Sequence, residues 1–206
     1  IDLKTADSHA ILTGAAFTDG ATTSVLGDIS AISGPITDGA ADTHAQAMTD
    51  LGLAYDAAAL VNTTAILGGQ TTFTPGAYYQ AAAMTFTNLT FDAQGDENAV
   101  FLIRTDGALT LPAKATVTLA GKASADNIYW HVASAGFGEG VVFKGTVLAG
   151  AAISVGANVK VRGRLLSING AVTLGASSEV HSYDLPVAAV ITLSPSTIDL
   201  KTADSH

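Results

Sequence analysis

The side chains here that invite a chemical reading are small and mostly uncharged. Between residues 99 and 180 the chain reads as coils of about eighteen residues. Each coil carries one short phrase. Gly107-Ala108-Leu109-Thr110 recurs as Ala135-Gly136-Phe137-Gly138, Ala151-Ala152-Ile153-Ser154 and Gly170-Ala171-Val172-Thr173. Ala16-Phe17-Thr18 and Ala83-Met84-Thr85 repeat it earlier. In a strand, successive side chains point to opposite faces. The large central residues are therefore expected to point into a core, and their small neighbours to point out together. The outward set is Ala16/Thr18, Ala83/Thr85, Ala108/Thr110, Gly136/Gly138, Ala152/Ser154 and Ala171/Thr173. Such a face has the chemistry of methyls, which restrict first-shell water, and of hydroxyls, which anchor it. The competing reading is structural: small residues suit a stacked sheet, or cover a neighbouring domain.

Other chemistry is poorly represented. The five histidines are His9, His44, His131, His181 and His206, and no pair has metal-ligand spacing on one element. His131, beside Trp130 in an apolar strand, is expected to be a hydrogen-bonded core residue. Asp92, Asp96 and Glu97 share one turn, but the pattern for calcium is incomplete. No Ser-His-Asp constellation or phosphate-cradling glycine loop stands out. The expectation is a non-enzyme with no cofactor and no metal.

Composition narrows the partners. The chain has 206 residues, 48% hydrophobic but only 13% charged, a bias that favours stacked repeats. A net charge of −9 argues against nucleic acid and anionic membranes. There is no cysteine, so disulfides and thiolate metal sites are excluded. No apolar run reaches transmembrane length, so direct membrane insertion is not expected. The chain opens at Ile1 with neither an initiator Met nor a signal peptide, and is expected to be a mature form or an excised segment.

Each coil needs three strands to place its phrase. The first is apolar at both parities, as in Phe101/Leu102/Ile103, Tyr129/Trp130, Val147/Leu148 and Leu165/Leu166, so both its faces must be covered. The one convincing helix, residues 42–60, is the element available to cover it. Met48, Leu51, Tyr55 and Ala58/Ala59 form its stripe. Thr37, Asp38 or Asp42 are candidate caps. Met48 and Tyr55 are expected to pack on the first-strand face near Trp130. The second strand carries the flat phrase. The third carries the outward charges Lys114, Lys144, Lys160, Arg162 and Glu179. A first coil over residues 9–20 and a strand over 22–29, broken at Gly27-Asp28, precede the helix. Spacing alone leaves open whether that coil caps one end of the stack.

The two ends repeat. Ile1-Asp2-Leu3-Lys4-Thr5-Ala6-Asp7-Ser8-His9 reappears as Ile198-Asp199-Leu200-Lys201-Thr202-Ala203-Asp204-Ser205-His206. The expected organisation is a domain at 1–182, an inter-domain joint at 183–197 and the start of the next tandem repeat at 198–206. The alternative is an artificial duplication of the end.

Several phrases occur in a family-specific order. They include Ala6-Asp7-Ser8-His9-Ala10-Ile11-Leu12, Gly27-Asp28-Ile29, the helix, Thr74-Pro75-Gly76-Ala77-Tyr78, Asn98-Ala99-Val100-Phe101, Asn127-Ile128-Tyr129-Trp130 and Asn169-Gly170-Ala171-Val172-Thr173-Leu174. Over residues 2–182 the chain resembles the microbial ice-binding protein family. The resemblance implies a mostly β fold: a right-handed, discontinuous β-solenoid of triangular cross-section with one long α-helix along one side. It also implies that the first coil docks beside the C-terminal coil. Family members commonly bind ice through one flat face, with a loose Thr-Ala/Gly-x-Thr/Asn phrase per coil. That carries over onto the outward set above, with Gly136/Gly138 a rung lacking a hydroxyl. The leading Thr is replaced throughout, by Ala15, Ala82, Gly107, Ala135, Ala151 or Gly170. The implied partners are an ice crystal surface and neighbouring copies in tandem or in a filament, outside the cell or on its surface. The alternative is a structural repeat of an adhesin, stalk or filament without ice activity.

Overall fold

The structure is a computed structural model that describes residues 1–33, 41–65 and 70–182. The candidate helix caps Thr37 and Asp38, the joint and the second copy of the nonapeptide lie outside the described residues. Among those described, twenty strands and one α-helix, Ala41–Ala59, form the chain. All the strand pairings are parallel, and each coil visits three sheets in turn.

The first sheet runs from Thr64–Ala65 through Gly76–Gln80, Phe101–Thr105, Ile128–Val132, Thr146–Ala149 and Leu165–Ser167 to the first half of His9–Asp19. Asp28–Ser33 adds the outermost strand there. The second sheet runs from Met84–Thr85 through Ala108–Leu111, Ser134–Phe137, Ile153–Val155 and Val172–Leu174 to the second half of His9–Asp19. The third sheet has seven strands, from Thr72–Phe73 to Ser24–Leu26. The long strand His9–Asp19 thus pairs with Leu165–Ser167 in the first sheet and with Val172–Leu174 in the second. Ser24–Leu26 pairs with Glu179–His181. The first coil therefore does close the C-terminal end of the stack.

Coil length is less regular than expected. The register partners Thr85, Thr110, Gly136, Ser154 and Thr173 lie 25, 26, 18 and 19 residues apart. Only the last two intervals are near eighteen. The longer coils hold extra chain at 93–98, in the acidic turn, and at 121–127, outside the sheets.

The interior is packed with one side chain in two along each strand. An aromatic chain threads it: Phe73 stacks on Phe91 at 5.6 Å, Phe91 meets Trp130 edge-on at 5.5 Å, and Phe143 lies 5.5 Å from Trp130. The Trp130 indole donates to the Lys144 carbonyl at 3.0 Å, which satisfies the only polar atom of this buried ring. Close stacking requires glycine at the corners. Gly163 has a φ of +138°, and a Cβ there would lie 2.0 Å from the Gly145 carbonyl oxygen.

The outer face of the first sheet is apolar too, and the helix covers it. Ala47, Leu51, Ala54 and Ala58 form the buried centre of its stripe, against Leu12, Leu102, Leu148 and Leu166. Met48 and Tyr55 flank that centre, half-buried, while Ala59 is exposed. They pack on the expected sheet but not beside Trp130, which points inward. Its strand neighbour His131 points out, and the Tyr55 and His131 rings lie 3.9 Å apart. Among the described residues, neither ring nitrogen of the buried His131 has a hydrogen-bond partner, so the expectation of a hydrogen-bonded core histidine is corrected.

The N-terminal segment is fastened beneath the helix. Leu3 and Ala6 are buried there, and the Thr5 hydroxyl donates to the Asp50 carboxylate at 2.5 Å. Nearly buried Arg164 pairs with Asp7 at 2.9 Å and also donates to its backbone carbonyl. The third sheet presents Lys144, Lys160, Arg162 and Glu179, with Lys160 and Glu179 3.9 Å apart. Lys114 instead sits in a turn with positive φ.

Candidate functional site

The second sheet brings the small residues of distant coils side by side. Its strand order places Met84–Thr85, Ala108–Leu111, Ser134–Phe137, Ile153–Val155, Val172–Leu174 and the end of His9–Asp19 as six adjacent rungs. The register aligns Thr85 with Thr110, Thr110 with Gly136, Gly136 with Ser154, Ser154 with Thr173, and Thr173 with Thr18. Every Thr and Ser of this column is exposed. Two residues earlier runs a second column. Ala108 is in direct register with Ser134, and Ala83, Ala152, Ala171 and Ala16 take the equivalent place on their rungs. Between the columns Met84, Leu109, Ala135, Ile153, Val172 and Phe17 are buried.

Adjacent strands are spaced by about 4.8 Å, and alternate residues along a strand by roughly 6.7 Å. Six rungs thus span about 24 Å. The array is neutral, and none of its side chains titrates. Because the backbone is fixed by the ladders, little ordering entropy remains to be lost when the face meets a rigid surface.

One rung differs from the sequence reading by two residues. The partner of Ala108-Leu109-Thr110 is Ser134-Ala135-Gly136, not Gly136-Phe137-Gly138. A slip of two keeps the outward parity, so Gly136 and Gly138 do face out, but it moves the rung along the sheet. Gly136 stands in the hydroxyl column. Ser134, missed from the sequence, stands in the methyl column. Gly138 lies beyond both, in line with Gly156, Gly175 and Gly20, each donating its amide to the neighbouring coil at 2.7–2.8 Å. These are corner residues: a Cβ on Gly138 would lie 2.5 Å from the Ala113 nitrogen. The slip has a plain cause. Phe137 looked like the large central residue, but the inward anchor of this rung is Ala135. The available signal was Ala133-Ser134, which matches Gly107-Ala108 in spacing and hydrogen-bonds to it through Ala133 N and Gly107 O at 3.0 Å.

Beside Gly136 lies a shallow depression of about 410 Å³ that runs from Thr110 and Ser154 to the corner residues Pro112, Gly138 and Gly156. It is open to solvent and lacks the convergent charged groups of a catalytic cleft. Elsewhere, no group of three or more His, Asp or Glu side chains among the described residues is placed to hold a metal ion. In the acidic turn, Asp92 and Asp96 accept from the backbone amides of Gln94 and Asn98 at 2.8 and 2.9 Å, so they act as turn formers. Titration shifts lie away from the face. Burial, then Arg104, holds His131 below its ordinary range; burial, then His9, lowers His44; and Thr5 hydrogen bonding lowers Asp50.

This architecture and order of phrases match known proteins. A profile of the ice-binding-like family matches residues 3–179. The chain belongs to the ice-binding-like family. It is 37% identical over 144 residues to ice-binding protein 1 of Shewanella frigidimarina, covering 65% of this chain and 16% of that protein. It is 34% identical over 137 residues to an ice-binding protein of Nostoc, covering 63% of this chain and 51% of that one. The chain thus spans about half or less of the length of these relatives. Among solved structures, an ice-binding protein from the Antarctic ascomycete Antarctomyces psychrotrophicus superposes with a TM-score of 0.79 at 28% identity, over 90% of this chain and 99% of that one. An ice-binding protein from an Antarctic biological consortium gives 0.78 at 33% identity, over 88% and 90%. Ice-binding-like proteins of this kind are mostly β, with parallel strands in a nearly closed sheet and one helix.

Proposed function

We propose that this domain binds ice crystals through the second sheet and performs no catalysis. The observation that carries the reading is the in-register column Thr85, Thr110, Ser154, Thr173 and Thr18, flanked by a column of methyls. Methyls limit the arrangements of first-shell water, and regularly spaced hydroxyls anchor that water in a repeating pattern. Each contact is weak. The sum is useful because the scaffold is ordered before binding. No long or charged side chain lies in either column to break the layer. The names of the relatives support the same ligand, and the coil path fits a right-handed solenoid of triangular cross-section.

The wider setting belongs to the same proposal. The identical nonapeptides at 1–9 and 198–206 support a tandem array, with 183–197 as the joint, outside the cell or on its surface. Copies able to reach one crystal would add avidity. The repeat also favours a second reading, a spacer domain in an adhesin, stalk or filament. Thermal hysteresis and inhibition of ice recrystallisation, measured on the folded domain at micromolar concentration, separate the two. Activity supports ice binding; a folded, inactive sample supports the spacer.

A further inference from the structure

We infer that Gly136 is the residue that sets the strength of ice binding, by dividing the hydroxyl column into two shorter arrays. This rests on the reading of the second sheet as the ice-binding face. Gly136 is the one position of the six-rung column with no side chain, and it falls inside the column rather than at its end. Thr85 and Thr110 lie on one side of it; Ser154, Thr173 and Thr18 lie on the other. The hydroxyls of Thr110 and Ser154 are therefore separated by two strand spacings, about 9.6 Å. Between them opens the depression of about 410 Å³, which also runs out over the corner glycines Gly138 and Gly156. Water over Gly136 itself meets no methyl or hydroxyl from that position to fix its place.

The glycine is not required by the fold. Its φ lies outside the left-handed region, and a Cβ built on it meets nothing within 4 Å. Gly138 and Gly170 contrast with it: a Cβ there would lie 2.5 and 2.1 Å from backbone nitrogen atoms of the neighbouring coil. Gly136 is thus the one position of the hydroxyl column without a hydroxyl, and no packing contact requires a glycine there. A β-branched residue suits a strand there and would complete the column with the same outward parity as Thr110.

The test is Gly136→Thr, with Gly136→Ala to separate the methyl from the hydroxyl and Thr173→Lys as a probe of the face. Folding of each is checked by circular dichroism and melting temperature. Gly136→Thr is expected to halt recrystallisation at about five-fold lower concentration than the parent, the factor one added hydrogen-bonding site supplies. Gly136→Ala is expected to give a smaller gain, and stands in for the Thr variant if that one does not fold. Unchanged or lower activity in folded Gly136→Thr, with Thr173→Lys inactive, would overturn the role of Gly136 while leaving the face intact. Full activity in Thr173→Lys would instead overturn the face itself.

Discussion

His131 shows how a single residue can be placed correctly and still be misread. Its strand and burial follow from the sequence, but a hydrogen-bonded imidazole does not form, because its place is under Tyr55 on the helix-covered face. Burial disfavours its charged form most, and Arg104 adds to that; its own backbone, then Asp106 and Asp56, oppose. The imidazole therefore binds a proton more weakly in the folded chain than in the unfolded one. As pH falls below the ordinary value of 6.5, the unfolded state takes up that proton first, and stability is lost from there downward. Melting temperatures from pH 7.5 to pH 5 should show this decline. His131→Leu should flatten it, and His44, shifted in the same direction, should leave a residue of it. A slope unchanged in His131→Leu would refute the assignment. On the second sheet, the outward residues were legible because parity survives a slip of two. The position of Gly138 was not, because a corner glycine and a face glycine look alike until the coils are stacked.

At the scale of elements, the helix was legible from its period and from the need of the first strands for cover on both faces. Its contact line was less so. Ala47 and Ala54, small residues that let the helix approach the sheet, carry the centre of the stripe, with larger Met48 and Tyr55 at its flanks. Leu51 is fully buried in that contact. Leu51→Ala should cost about 2–5 kcal/mol, or on the order of 10 °C in melting temperature. Ice activity near 0 °C should persist in the same variant, since the helix covers the first sheet and the proposed site is the second. Loss of activity in a still-folded Leu51→Ala would show that the helix acts on the face directly. Coil lengths of 25 and 26 residues were hidden by excursions at the acidic turn and at 121–127, where inserted chain leaves the strands undisturbed.

For the whole molecule, the closure of the stack by the first coil matters most. The sequence left two geometries open. The long strand His9–Asp19 decides between them by pairing in two sheets at once, so the sixth rung, Ala16-Phe17-Thr18, joins the face beside Val172–Leu174. Residues far apart in the chain thereby form one six-rung face, with the charged third sheet as a built-in comparison. The most direct test is partition into slowly growing ice of three fluorescent proteins: the parent, Thr110→Lys and Thr118→Lys. Thr110 and Thr118 are both exposed strand threonines, one on the second sheet and one on the third, so either change should alter stability by no more than about 0.5 kcal/mol. The account predicts that the parent and Thr118→Lys enter the ice while Thr110→Lys stays in the liquid. Entry of Thr110→Lys at the parent level would contradict it.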